Sequence, residues 1–521
     1  MRPQAPVRAT VAALSVALVA STIALLGGSA ASAASAPSGT VPTAARAHAE
    51  KTLSRAEALL VPSSEAHTSL SRTVPGSSSP RSDATIALRD LGQVRQDLAP
   101  ASQRRADRLL ARPVLPTVTG TDTIAIHAGP SVAQPFVQAV LATAAKVHDT
   151  YVAAGYRQPL QDGVAGGDAR LDIYLTDLGG TGAYGYCTSD VKSAPGRADK
   201  PAFCVLDDNY TGYPGDPTQV LQVTLAHEYF HAVQYAYDSL EDGWFMEGTA
   251  AWVEDYVFDD VNDNMQYAPY SPLAGPRYSL DIFGTSDDPT KLQFRQYGAW
   301  MWFRWLSERY PDAQGGLPTI VRQFWEAADS TQGSSNDRYS VQAINAVLRQ
   351  RGTTLTKAFA TFADENRRPT SFYSEAAANN YPTAPLASKV KLSKRGAKAK
   401  TYRLDHLSSA TTRFVPKKIS GKRYKLKLSF DLAAKNTDPA VVVSTYLRSG
   451  KVKTKLVKLN GRGGGAIKVP FSKKKVSGVE VTLVNASTRY TSCYRYAVTY
   501  SCYGKPRDQR LPATVRARVV G

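Results

Sequence analysis

Apolar and polar positions change period several times along the chain. From Ala9 to Leu26 the sequence is almost wholly apolar, preceded by Arg2 and Arg8 and followed by Ala31-Ser32-Ala33. A basic start, an apolar run and a small-x-small exit are the layout of an export signal, cleaved before Ala34. Residues 1–33 are therefore predicted to be a signal peptide rather than an anchor. From about 38 to 112 apolar residues recur every three to four positions, in AARAHAEKTLSRAEALL, ATIALRDLGQVRQDLAP and QRRADRLLARP. That period predicts helices, and SSSPRSD reads as a turn-rich linker between them. Lying between an export signal and a better-patterned domain, residues 34–117 are expected to form a helical pro-segment.

Residues 118–384 mix the two periods. TIAIHAG, RLDIYLTDL and AFCVLDD read as strands. The segments 131–156 and 218–237 read as long helices, and GTAAWVEDYVF, QYGAWMWFRWLSERY, LPTIVRQFWEAA, VQAINAVLRQRG and LTKAFATFADEN follow as further helical stretches. The order strand, helix, strand, strand, helix predicts an α+β arrangement. From about 385 the period becomes two, in YKLKLSFDL, AVVVSTYL, GAIKVPFS, GVEVTLVNAS and YRYAVTYSCY. Short strands at regular spacing predict a β-sandwich over 385–505, with 506–521 as a tail.

Composition narrows the class. The 521 residues are 43% hydrophobic and 21% charged, with 4 Cys and 7 His, which excludes a collagen, a disulfide-dense miniprotein and a multi-span membrane protein. The net charge of +19 is unevenly spread: residues 386–521 carry 32 Lys+Arg against 5 Asp+Glu, so the remainder is mildly acidic. A basic domain on an exported chain suits anionic cell-wall polymers. Neither nucleic acid nor a stable membrane span after signal cleavage is expected. Four Cys allow three pairings. Short loops and one staple per domain favour Cys187–Cys204 and Cys493–Cys502, in an oxidising compartment.

Candidate chemistry concentrates in VTLAHEYFHAVQYAYD. His227 and His231 are four apart on a predicted helix, so both imidazoles leave one face about one turn apart. That spacing suits a tetrahedral Zn²⁺, and Glu228 stands where a proton acceptor is needed, the HExxH arrangement. With Gln234 and Tyr237 at the places where metzincins carry a Gly and a third His, that class is excluded. With no further His before His406, the third ligand must be a carboxylate or lie far upstream. Glu247 opens the next predicted helix after the turn Ser239–Gly243 and is the chosen third ligand. Glu254, seven positions on, is placed to hold a ligand imidazole by its other nitrogen. Asp255 is a weaker competitor for either task. The oxygen-rich run Asp259–Asn264 is a candidate Ca²⁺ site, although it lacks the Gly and closing Glu of an EF-hand. His127 and His148 read as structural.

The segments His227-Glu228-Tyr229-Phe230-His231 and Trp244-Phe245-Met246-Glu247-Gly248-Thr249-Ala250 resemble the gluzincin metallopeptidases. The second resembles the W-x-x-E-G-x-A-x-x-x-E helix of the thermolysin-like aminopeptidase branch. The likeness implies a zincin-like fold, Zn²⁺ bound by His227, His231 and Glu247, and Glu228 as general base. In its layout the chain resembles secreted metalloproteases of actinomycetes and myxobacteria. The interval from His231 to Glu247 is shorter than in those aminopeptidases. Their G-x-M-E-N motif is absent, which favours an endopeptidase. Residues 232–405 contain no His to serve as the oxyanion donor of thermolysin. Tyr297, in a segment resembling the Y-x-K-G of the aminopeptidase branch but with Gly298 directly after it, takes that role.

The sequence therefore predicts a secreted zinc endopeptidase that acts on protein or peptide substrates, with its basic domain available for wall association. Two alternatives stay open: a cell-envelope-binding protein with a vestigial zincin core, and a zinc hydrolase of a non-peptide bond.

Overall fold

The computed structural model describes residues 41–61, 83–181, 183–191, 197–284, 292–331, 334, 337–493 and 499–521. The expected signal peptide lies outside the described residues, as do most of the SSSPRSD linker and residues 494–498 of the last expected strand. Mixed helices and strands make up the body, and the C-terminal region is β-rich.

The first sheet consists of β1 (Thr117–Gly120), β2 (Ile124–Ala128), β3 (Leu171–Thr176), β4 (Gly185–Thr188) and β5 (Phe203–Asp207), in the order β1-β2-β3-β5-β4. Strands β2, β3 and β5 are parallel, while β1 and β4 close the two edges antiparallel. A parallel sheet must be covered on both faces, and β5 is buried at every position. Its Cys204 and Leu206, with Ile173 and Leu175 of β3, join the main core with the helices Gln134–Ala153 and Pro217–Asp238. Tyr174, Phe203 and Val205 point the other way, into a second core built with Leu53, Leu88 and Leu91.

Those leucines belong to the segment read as a pro-segment, which forms the helices Thr43–Leu60, Thr85–Val94 and Pro100–Leu110. These helices cover one face of the sheet rather than standing apart from it. At their C-terminal end Arg112 pairs with Asp162, Asp172 and Asp190. Asp172 also lies 2.6 Å from His127 Nε2, and His148 Nδ1 lies 2.6 Å from the Tyr229 hydroxyl, so both lone histidines have structural partners.

In the β-rich region, a pair of sheets shares one apolar core that includes Phe414, Leu428, Val443, Val481 and Val515. One sheet has the order 452–456, 439–447, 476–485, 408–416, 388–392; the other has 464–470, 425–431, 511–520, 397–404. The expected tail is a correction. Leu511–Val520 lies inside the second of these sheets, hydrogen-bonded on both sides to Lys425–Asp431 and Ala397–Leu404. Its Ala513, Val515, Ala517 and Val519 are buried, an alternation obscured by the Arg residues on its outer face. The last expected strand, YRYAVTYSCY, is also corrected: its Ser501–Tyr503 form a short 3₁₀ turn. Both disulfides pair as expected, Cys187–Cys204 across β4 and β5 and Cys493–Cys502 in the C-terminal region. No helix among the described residues is long and apolar enough to cross a membrane.

Candidate metal centre

The helix Pro217–Asp238 starts cleanly because Pro217 sits at its first position and Asp216 accepts hydrogen bonds from the Thr218 and Gln219 amides. It is buried nearly all round from Val220 to Asp238, so every polar group on it needs a partner. A tight turn leads to the helix Gly243–Val257, which lies against it. Gly248 allows the next helical stretch to approach, since a Cβ there would stand 2.9 Å from Phe303 Cε2 and 3.2 Å from Ala299 Cβ.

His227, His231 and Glu247 meet between these two helices. His227 Nε2 lies 3.3 Å and His231 Nε2 3.7 Å from Glu247 Oε2. The outer ring nitrogens are both engaged. His227 Nδ1 is 2.6 Å from Glu254 Oε1, and His231 Nδ1 is 2.7 Å from Gln234 Oε1. Gln234 also donates to the Met246 carbonyl and the Thr249 hydroxyl. An Nδ1–H held by an oxygen leaves the Nε2 lone pair free for a metal. Gln234 has no counterpart in the sequence reading, where it served only to exclude another class. Asp255 turns away and pairs with Arg304.

A fourth side chain enters from the helical segment at the N-terminal side. Asp83 Oδ2 stands 2.9 Å from His231 Nε2 and 3.9 Å from His227 Nε2. Asp83, His227, His231 and Glu247 each offer one ligand atom, all within 4.8 Å of one another. Asp83 Oδ2 and His231 Nε2 are buried with no hydrogen-bond partner. The two lie 2.9 Å apart as an ion pair without a well-directed hydrogen bond between them. A buried donor set of two imidazoles and two carboxylates could hold a divalent metal ion.

The buried carboxylates and imidazoles act strongly on one another. Burial drives the Glu228 carboxyl well above the usual carboxylate range, and the charges of Asp83 and Glu247 push it the same way. Burial also raises Glu247, with Asp83 adding to the effect. Burial would raise Asp83 too, but His231 and His227 outweigh it and hold its carboxyl low. Burial works against the charged form of His227, yet Glu247 and Glu254 prevail and raise it well above its ordinary value. A bound dication would relieve this accumulation of carboxylates.

Glu228 stands beside the cluster and accepts from the Thr85 hydroxyl at 3.4 Å. It packs against edge strand β4, where a Cβ at Gly185 would lie 3.0 Å from Glu228 Cγ. Tyr297, on the short helix Arg295–Gly298, stacks on Tyr267 and faces His227 with ring centroids 6.1 Å apart. Its hydroxyl accepts from the Asp83 amide at 3.1 Å. Burial keeps that phenol protonated, raising it well above its ordinary value. All the sequence-selected residues, Glu228, Tyr297, His227, His231, Glu247 and Glu254, thus surround one buried point. The expected calcium run does not gather in this way. Only its Asp259 joins an acidic group, with Asp255 and Glu375, and Arg304 already pairs with the latter two.

No family model and no curated protein matches the chain. Among solved structures it is similar to the pre-peptidase C-terminal domain of a collagenase from Bacillus anthracis, at 8% identity and a TM-score of 0.16, covering 26% of this chain and 97% of that one. A 4-O-methyl-alpha-glucuronidase is similar at 9% identity and a TM-score of 0.13, covering 58% of this chain and 39% of that one. At such scores neither likeness bears on fold or activity.

Proposed function

We propose that the chain is a secreted zinc endopeptidase with a zincin-like core. The observation that carries this reading is the convergence of His227, His231 and Glu247 on one buried point with Glu228 beside it. A bound Zn²⁺ would supply Lewis acidity toward a scissile carbonyl and an attacking water. Glu228 takes the proton of that water and delivers it to the leaving amine. The Tyr297 hydroxyl donates to the oxyanion that develops at the carbonyl. Glu254 and Gln234 keep the two imidazoles oriented. Strand β4, at the sheet edge, offers backbone groups along which an extended peptide can pair.

The test is Glu228→Gln, compared with its parent in a chain that hydrolyses casein. This variant is expected to fold, to keep its metal and to lose casein hydrolysis by about 10²–10⁴-fold, the usual worth of a positioned general base. Turnover like that of the parent would sink the mechanism.

A second reading draws on Asp83. Four protein ligands make a closed set, which is typical of structural zinc. On that reading the chain is a cell-envelope-binding protein with a catalytically silent core. A supporting feature is the row Lys468, Lys427 and Arg518, directly opposed on neighbouring strands of the second C-terminal sheet. Like charges so placed are destabilising, and an anionic wall polymer would relieve them. The row serves a peptidase equally well as a tether.

A further inference from the structure

One short segment touches every element of the candidate centre. Asp83 brings its Oδ2 into the ligand set, while its Oδ1 accepts the Thr85 amide at 2.6 Å and fixes the carboxylate's direction. The Asp83 amide donates to Tyr297, the proposed oxyanion donor. The Thr85 hydroxyl donates to Glu228, the proposed base, and accepts the Cys187 amide of edge strand β4 at 2.8 Å. One turn further along, Arg89 is buried. It donates to the Glu241 carbonyl at 2.7 Å, contacts Met246 Sδ at 3.2 Å, and lies over the Tyr503 ring. Ligand position, base, oxyanion donor and peptide-binding edge are all occupied by residues 83–89.

The geometry points to an autoinhibitory latch, in which Asp83 serves as the fourth metal ligand and Thr85 and Arg89 hold the segment across the cleft. This rests on the zinc-peptidase reading. No Cys precedes Cys187, so the segment offers no thiolate for that position and the carboxylate takes it. The latch differs from simple bulk occlusion, because the carboxylate fills the coordination position that water and substrate need. The same segment also covers Tyr174, Phe203 and Val205, so a backbone cut alone would leave it in place. Activation requires that Asp83 leave the metal and the segment leave the cleft. The exchange is of one ligand for another, with no change in oxidation state.

The experiment uses the full chain loaded with Co²⁺, probed with acetohydroxamate and followed by visible absorption. The variant is Asp83→Asn, which keeps an acceptor for the Thr85 amide and removes the anionic donor. Asp83→Ala is measured alongside it, and circular dichroism checks that both fold. The latch predicts that both variants retain the metal, show an altered cobalt spectrum, and bind the probe at least about tenfold more tightly than the wild type, since a tethered competitor acts at millimolar effective concentration. Equal probe affinity in wild type and variants would overturn the latch. So would loss of the metal together with the Asp83 carboxylate, which would make Asp83 a permanent structural ligand. Casein hydrolysis by the zinc forms separates this inference from the reading beneath it. A chain that carries Thr85→Val and Arg89→Gln as well, opens to the probe and still leaves casein intact keeps the latch and removes the peptidase.

Discussion

Gly298 directly follows Tyr297, at the place where the similar aminopeptidase segment has other residues between Tyr and Gly. A Cβ at 298 would stand 2.7 Å from the Tyr270 carbonyl carbon and 2.8 Å from the Ser271 nitrogen and the Tyr270 oxygen. Carbon needs about 3.5 Å to such atoms, so Gly298→Ala requires the two segments to part by about 0.8 Å. The obstacle is backbone, which cannot rotate aside as a side chain can. Overpacking typically costs about 1–3 kcal/mol, and this position belongs at the upper end. At about 2–4 °C per kcal/mol for a domain of this size, Tm should fall by about 6–12 °C. Two further glycines calibrate the argument. Gly248→Ala meets the movable Phe303 ring at 2.9 Å and should cost less, about 1–2 kcal/mol. Gly92→Ala, in the helix Thr85–Val94, meets nothing within 4 Å and should stabilise by about 0.4–1 kcal/mol. The assay is thermal unfolding of the zinc-loaded full chain, followed by circular dichroism. A Gly298→Ala variant that melts with the wild type would refute the close approach that positions Tyr297.

Glu247→Ala should abolish stoichiometric zinc, whereas Glu254→Gln should weaken zinc affinity by only about 10–100-fold, as loss of a partner to a ligand imidazole does; equilibrium dialysis against a zinc buffer separates the two. His406 Nε2 lies 2.7 Å from the buried Asp281 Oδ1, joining the C-terminal sheets to the body. Burial opposes charge on both, but their attraction prevails, raising His406 and lowering Asp281. The pair's stabilisation is therefore full between about pH 4 and 6.5, the unfolded-state values. It is lost as pH rises through the raised His406 value or falls through the lowered Asp281 value. The urea midpoint of the zinc-loaded wild type should thus fall more between pH 6 and 9 than that of His406→Gln, and parallel profiles would exclude the pair as the cause. Retention of the full chain on isolated cell walls should drop steeply between 0.1 and 1 M salt, as the Debye length shortens from about 10 Å to about 3 Å. Salt-independent retention would exclude the basic row as the tether.

Much of the centre was legible because its logic is local. His227, Glu228 and His231 lie on one helix, and the short turn to Glu247 leaves that helix little choice but to pack back. Glu254 follows from helical period alone. Asp83 was not legible, because 144 positions separate it from His227 and the linker that carries it looks like any polar turn. Its one local signal was an Asp just ahead of an apolar helical run. Strand β4 is invisible to pattern because four residues beginning with Gly show no period. Leu511–Val520 reads as a tail although its apolar residues alternate. Its place between two strands depends on pairings far away in sequence, which a local pattern does not reveal.

The central claim is that His227, His231 and Glu247 hold a catalytic zinc served by Glu228. The most direct measurement is casein hydrolysis by a chain carrying Asp83→Asn, Thr85→Val and Arg89→Gln together, which removes the fourth ligand and both anchors of the segment, after chelation and again after return of one equivalent of zinc, with its Glu228→Gln counterpart beside it. The account predicts hydrolysis that disappears with the metal, returns with it, and never appears without Glu228. Hydrolysis indifferent to chelation, or equal in the Glu228→Gln counterpart, would contradict it.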